Sequence, residues 1–168
     1  PPRSTLSSSS AASDVYKRQL NNPSVSEVVV VEIEPKVVEW CRMYFGRFNG
    51  NALDDVRTHV VIDDMARYAA KCDRAFDAIL LDMDNGPHQP ILPRNSELYS
   101  DSGLRRWRSL LRSGGVLSVW AAKPDAAFVT SLEELFERVF TYDVNTSVSL
   151  QTEYPDMVYC AMKHGSHE

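Results

Sequence analysis

No CxxC pair, no glycine-rich turn and no long apolar run occurs in these 168 residues. Cys41, Cys72 and Cys160 stand far apart, and an odd count without a motif implies reduced, buried thiols in a cytosolic protein. No apolar stretch approaches the roughly 20 residues of a membrane span. The N-terminal residues also lack the apolar h-region of a signal peptide. Basic residues number 18 against 23 acidic, for a net charge of −5, which argues against a nucleic-acid surface built on clustered Lys and Arg. That balance is compatible with a cationic or neutral small-molecule partner. The seven glycines start at Gly46, and none forms GxGxG, so the close backbone approach that glycine permits is not provided by such a loop.

Methionine is missing from the first 42 positions as well: the chain opens at Pro1 and its first methionine is Met43. The expectation is a truncated reading frame. Ser7 to Gln19, four serines followed by AASDVYKRQ, resembles a segment that recurs as translated adapter read-through in environmental sequences. Its composition offers no apolar face to bury. Residues 1–19 are therefore expected to be a non-native or disordered tail, and residues 20–168 a single partial domain.

From position 20 strands and helices alternate. Val28 to Val31 is a continuous β-branched run, as expected of a strand buried on both faces of a parallel sheet. Pro35 follows where a first helical residue tolerates proline. Val37, Val38, Cys41, Phe45 and Phe48 recur at helical spacing. Thr58 to Ile62 reads as a second strand and Phe76 to Leu81 as a third, with a helix through Tyr68 and Ala69 between them. A polar loop containing Asn85, Gly86, Pro87, Pro90 and Pro93 comes next. A helix marked by Leu104, Trp107, Leu110 and Leu111 leads to a fourth strand, Val116 to Trp120. Phe128, Leu132, Leu135, Phe136 and Val139 define an amphipathic helix. Tyr142 to Leu150 and Met157 to Met162 read as a closing antiparallel hairpin. Trp40 and Trp107 fall on apolar helix faces and are expected in the core. The alternation predicts an α/β, doubly wound, Rossmann-like sheet, mostly parallel.

Ligands of such sheets sit beyond the carboxyl ends of the strands. Glu32, Asp63, Asp64, Asp82 and Asp84 stand at those ends. A carboxylate there can accept hydrogen bonds from vicinal ribose hydroxyls, or it can simply cap the next helix. Recurrence across three successive strands is the argument for a site. Trp120 ends a strand near it, and His88 reads as an exposed loop histidine. His164 and His167 read as solvated tail residues, and Arg105, Arg106, Arg108 and Arg112 as a solvated helix face.

The segments VVVVEIEPKVVEWCRMYF, VVIDDMARYA, FDAILLDMDNGP and ELYSDSGLRRWRSLLRSGGVLSVW resemble the successive core motifs of spermidine synthases and their shorter relatives, from about Val28 to Met162. The resemblance implies the class I S-adenosylmethionine-dependent methyltransferase fold and a cytoplasmic aminopropyltransferase of polyamine biosynthesis. It also implies that the first strand and its glycine-rich turn are missing. Decarboxylated S-adenosylmethionine or S-adenosylmethionine would be the co-substrate, without a metal. By the same resemblance Glu32 would hold the ribose, Asp64 the adenine amino group with Asp63 beside it, and Asp82 the attacking amine. Tyr154, in TEYPD, resembles a late tyrosine of the family and would bind substrate. Aminopropyl transfer is an in-line attack by an amine that must be deprotonated and aimed; Asp82 could take its proton and Asp84 anchor the distal ammonium. A small-molecule amine is the implied partner, with neither nucleic acid nor membrane, and a homodimer is left open as the assembly.

Two departures bear on function. The family's DxxDP becomes Asp82-Met83-Asp84-Asn85-Gly86-Pro87, which shifts the second acid by one position. Without a glycine-rich turn, weak binding of the adenosyl group is expected. Two further readings stay open: a metal-independent small-molecule methyltransferase, and a non-catalytic member of the fold.

Overall fold

Val28, Val29, Val30 and Val31 are each nearly inaccessible to solvent, and they face two different cores. Val29 and Val31 join a cluster with Ile79, Leu81, Leu117, Val119 and Tyr159, whereas Val28 and Val30 join Leu20, Val38 and Leu53. Successive residues of a strand point to opposite faces, so one β-branched run supplies both layers. That is the arrangement of a sheet covered by helices on both sides.

In the computed structural model, residues 3–9, 13–83, 85–144 and 154–165 are described. The strands are β1 (Arg3–Ser9), β2 (Val25–Glu32), β3 (Thr58–Ile62), β4 (Phe76–Asp82), β5 (Leu111–Ala121), β6 (Arg138–Val144) and β7 (Asp156–Met162). They form one seven-stranded sheet in the order β3-β2-β1-β4-β5-β7-β6. The first five pair in parallel, and β7 runs antiparallel to both β5 and β6. The architecture is the expected mixed α/β sheet with an antiparallel C-terminal pair.

Helices α1 (Ser13–Leu20), α2 (Pro35–Trp40) and α3 (Gly46–Asn49) lie on the Val28 face. The other face is covered by α4 (Met65–Lys71), α5 (Ser96–Tyr99), α6 (Asp101–Leu110) and α7 (Ala126–Leu135). Trp107 is fully buried there, and its indole N–H donates to the Leu98 carbonyl at 2.9 Å. Beyond β1, the Val28 side of the sheet is half-open. Leu80, Val116, Ser118, Trp120, Val158 and Cys160 are partly exposed, and Phe140 and Tyr142 more so.

Four expectations are corrected. The central slot was expected to lack its strand, yet Arg3–Ser9 occupies it, pairing with β2 on one side and β4 on the other. Two buried strands with facing open edges must satisfy their backbone groups, and that demand recruits a serine-rich segment whose composition carries no strand signal. Its Ser4 and Thr5 are buried; the Ser4 N–H donates to Asp77 Oδ2 at 2.6 Å, and Thr5 Oγ1 bonds Gln19 Oε1 at 3.2 Å. With α1 following it, much of the stretch set aside as a tail has regular structure.

The helix after Pro35 is interrupted by a π-helical turn at Cys41–Phe45. The extra residue per turn rotates everything downstream, so Phe45 and Phe48 are exposed. Trp40, upstream of that turn, is half exposed rather than core because it stands two residues from buried Val38 and so on the opposite side of α2. Val139, assigned to a helix by its spacing, lies in β6 because α7 stops at Leu135. The three cysteines are free thiols, as expected, but half-buried rather than buried. Residues 145–150, expected to extend β6, lie outside the described residues. Among the described residues no helix is long and apolar enough to cross a membrane.

Candidate functional site

The sheet register fixes where the acidic strand ends stand. Ile62 pairs with Glu32, and Ser9 pairs with Asp82. Ser7 pairs with Val30 and Leu81 with Val119; continuing each register brings Ser9 level with Glu32 and Asp82 level with Trp120. Trp120 in turn pairs with Val158 and Val158 with Tyr142. Ile62, Glu32, Ser9, Asp82, Trp120, Val158 and Tyr142 therefore form one row across the carboxyl rim. The two register irregularities, at Arg3/Ser4 and Phe76/Ala78, lie near the opposite end. Residues level in a regular sheet share a face. Glu32 and Asp82 are thus on one side, two strands apart, on the order of 10 Å.

Glu32 is 6% exposed. Its Oε1 accepts the Glu34 backbone N–H at 2.9 Å. Burial pushes its carboxyl above the usual range, opposed by the backbone N–H groups of Glu34 and Ile33, while the nearby Glu34 charge raises it further. A carboxylate stripped of water and holding few donors gains from a ligand that brings hydroxyl donors to it.

Asp63 and Asp64 follow β3, and the Asp63 N–H donates to the Glu32 carbonyl at 3.1 Å, so the β3 and β2 ends are tied together. Asp63 accepts from Arg67 and, at 2.8 Å, from the Asp64 N–H. Partial burial works to raise its carboxyl, but the Arg67 and Asp64 hydrogen bonds and the Arg67 and Lys71 charges prevail and lower it. Asp64 caps α4: Oδ1 accepts from the Ala66 and Arg67 N–H groups at 3.0 and 3.1 Å. Its Oδ2 accepts from Arg94 Nε at 2.8 Å. The capping role weighed for strand-end acids is therefore present at Asp64, together with an ion pair to the loop after β4. A ligand amino group reaching Asp64 would share it with Arg94.

Asp82 is half-buried at the end of β4. Asp84 lies outside the described residues. Tyr154, about half exposed, precedes β7. Because β7 is antiparallel and its Met157 pairs with Ala121, its starting end meets the rim at which the parallel strands finish, and Tyr154 is brought to that rim from the far side of the sequence. At the β3 end an apolar groove lined by Pro35, Val38, Glu39, Arg42, Met43 and Ile62 adjoins the row. His88 also belongs to this neighbourhood, beside Asp125. Asp125 has no strand-end signal in the sequence, since it caps α7 four residues after β5; only its N-cap position ahead of an apolar stripe could have flagged it.

The rim fits an adenosyl group in part. Glu32 offers the anionic acceptor that a vicinal diol requires, and the flanking groove is apolar. After β1, however, the sequence continues Ser10-Ala11-Ala12 without glycine, and it is glycine that gives a phosphate- or ribose-bearing ligand close backbone contact in such folds.

Comparison with known proteins identifies the family. A family model described as the spermine/spermidine synthase domain matches residues 15–168. Polyamine aminopropyltransferase 2 of Pseudomonas aeruginosa is 28% identical over 152 residues, covering 84% of this chain and 42% of that protein. The chain spans less than half the length of the curated relatives it matches. Spermidine synthase from Thermotoga maritima superposes with a TM-score of 0.75 at 19% identity, over 96% of this chain and 54% of that one. Human methyltransferase-like protein 13 in complex with SAH superposes with a TM-score of 0.73 at 17% identity, over 100% of this chain and 75% of that one. At such identities the superpositions speak to the fold alone.

Proposed function

The chain belongs to the spermine/spermidine synthase family, and from that premise we propose that the whole protein moves an aminopropyl group from decarboxylated S-adenosylmethionine to an amine of a small polyamine. The observation that carries the reading is the shared row of Glu32 and Asp82, two acids on one face at one rim. Glu32 holds the ribose hydroxyls. Asp63 and Asp64 border the adenine, whose flat ring the apolar groove beside Ile62 suits. Asp82 orients the attacking nitrogen and accepts its proton, which raises the fraction of amine present as the free-base nucleophile. Asp84 anchors the distal ammonium, and Tyr154 closes the substrate side.

The donor supplies a sulfonium, which is both the electron-poor centre next to the reacting carbon and its own leaving group, so no metal is invoked. The tasks left to the protein are alignment and charge placement. Three free thiols accord with a reducing cytoplasm, where we place the reaction.

A metal-independent methyl transfer to a small molecule is the second reading, carried by Asn85-Gly86-Pro87 standing where polyamine-specific relatives keep their second acid. The two are separated by supplying the whole protein with either donor and a diamine. Aminopropylated product from the decarboxylated donor alone supports the first; methylated product from S-adenosylmethionine supports the second. Asp82→Asn should lower turnover about a hundredfold or more while leaving the melting curve in place. An unchanged turnover would remove Asp82 from the chemistry, and no turnover in the wild type would leave a binding module.

A further inference from the structure

The loop after β4 is pressed against the end of β5. Gly86 has φ +97°, and a Cβ there would lie 2.5 Å from the Cβ and 2.9 Å from the Cα of Ala121. The Ala122 N–H donates to the Asn85 carbonyl at 3.1 Å. Two residues further on, His88 Nε2 lies 2.9 Å from Asp125 Oδ2. The imidazole is half exposed, but the Asp125 side chain is only 3% exposed. Asp125 is held by further hydrogen bonds. Its Oδ1 accepts the Phe128 N–H at 2.8 Å, and the Asp125 N–H donates to the Tyr159 hydroxyl at 2.8 Å. The Tyr159 hydroxyl reaches the Lys123 carbonyl at 3.5 Å. Tyr159 is buried and packs edge-on against Phe128, with centroids 5.5 Å apart at 73°.

A buried carboxylate fixed on a helix terminus and braced by a core tyrosine is a rigid post, and the loop reaches it through one side chain. We infer that His88 is a positioning residue: through Asp125 it clamps the loop after β4 to the β5 end, and so fixes the approach of the amine to Asp82. This deepens the proposed function and rests on it. The strand hydrogen bonds hold the start of the loop at Asp82. Gly86 allows its close passage over Ala121, and His88 holds its outgoing limb. With Asn85 and Gly86 seated on the β5 end and His88 on Asp125, Asn85–His88 is held at three points beside the rim. Removing the imidazole frees the outgoing limb, whereas a glutamine amide can reproduce the Nε2 donor to Asp125. The donor-binding end of the row, at Glu32, lies two strands from Asp82 and is not touched by this clamp.

The test compares wild type, His88→Ala and His88→Gln in the whole protein by two readouts. The first is hydrogen exchange of the Ala122 amide, expected to quicken about tenfold in His88→Ala and to stay near wild type in His88→Gln. The second is steady-state kinetics with a diamine and the decarboxylated donor. The amine KM should rise about tenfold in His88→Ala with the donor KM unchanged, and return to within about twofold in His88→Gln. If the wild type transfers nothing, the functional reading falls and the exchange experiment alone decides the clamp. Unaltered Ala122 exchange in His88→Ala overturns it. So does a joint rise in both KM values, which would mark general loosening, or a His88→Gln variant as impaired as His88→Ala.

Discussion

Glu32 shows how one residue can be costly to the fold and useful to a site. The physical reason is its burial with few hydrogen-bond donors. A carboxyl whose folded value lies above its ordinary 4.5 favours the folded state while protonated. That favour is full below the ordinary value and is lost as pH rises through the folded one. At neutral pH the ionised side chain therefore costs stability, and Glu32→Gln should melt slightly higher than wild type at pH 7. Thermal melts across pH should show the advantage disappearing toward pH 4. The same variant should bind an adenosyl ligand about tenfold more weakly, because a neutral amide is a poorer acceptor for a diol. Better stability with poorer binding is the pattern expected of a functional residue. Lower stability at pH 7 would mean that the Glu34 contact outweighs desolvation. Glu32 was legible in the sequence because it ends an unbroken β-branched run. The capping of α4 by Asp64 was legible only as an alternative, and its partner Arg94 was not, since thirty residues of chain separate the two.

Among the elements, the parallel strands after position 20 were readable because each is a short run of Val, Ile, Leu or Phe between polar turns. Three things were not. The strand β1 is polar, and its place is set by neighbours distant in sequence. The π-helical turn breaks the period on which any helical face is read. The end of α7 was overrun because Val139 continues its spacing by chance while belonging to β6. The joint between α1, β2 and β3 depends on one long-range residue of the same hidden kind. Arg57 donates to the carbonyls of Val25 and Leu20 at 3.1 and 3.0 Å and to Asp55 at 3.0 and 2.8 Å. The Arg57 hydrogen bonds hold the Asp55 carboxyl at about 2. A depressed carboxyl stabilises the fold above its ordinary value of 3.8 and loses that effect as pH falls toward 2. Arg57→Ala should lower the melting temperature by several degrees at pH 7, and the difference from wild type should shrink below pH 4. A pH-independent difference would assign the effect to the two carbonyl contacts alone. Lysine should rescue poorly, because it has no planar fork to share among three acceptors.

For the whole molecule, the account depends on a sheet that levels acids from β2 and β4 on one face and brings the antiparallel β7 to the same rim. The sequence between β1 and α1, Ser10-Ala11-Ala12, contains no glycine, from which we expect this 168-residue chain to bind adenosyl ligands more weakly than roughly 100 µM. Half-open apolar rows on β4 to β7 make the Val28 side the less stable layer, since fewer contacts hold it. Weak binding is still mappable. Titrating methylthioadenosine, the adenosyl thioether left after aminopropyl transfer, into isotope-labelled protein and following backbone amide shifts tests the convergence directly. The shifts should cluster at Glu32–Glu34, Asp63–Asp64, Asp82–Gly86 and Trp120–Ala122, and weaken in Glu32→Gln. Shifts scattered over both ends of the sheet, or a cluster that Glu32→Gln leaves unchanged, would contradict the account.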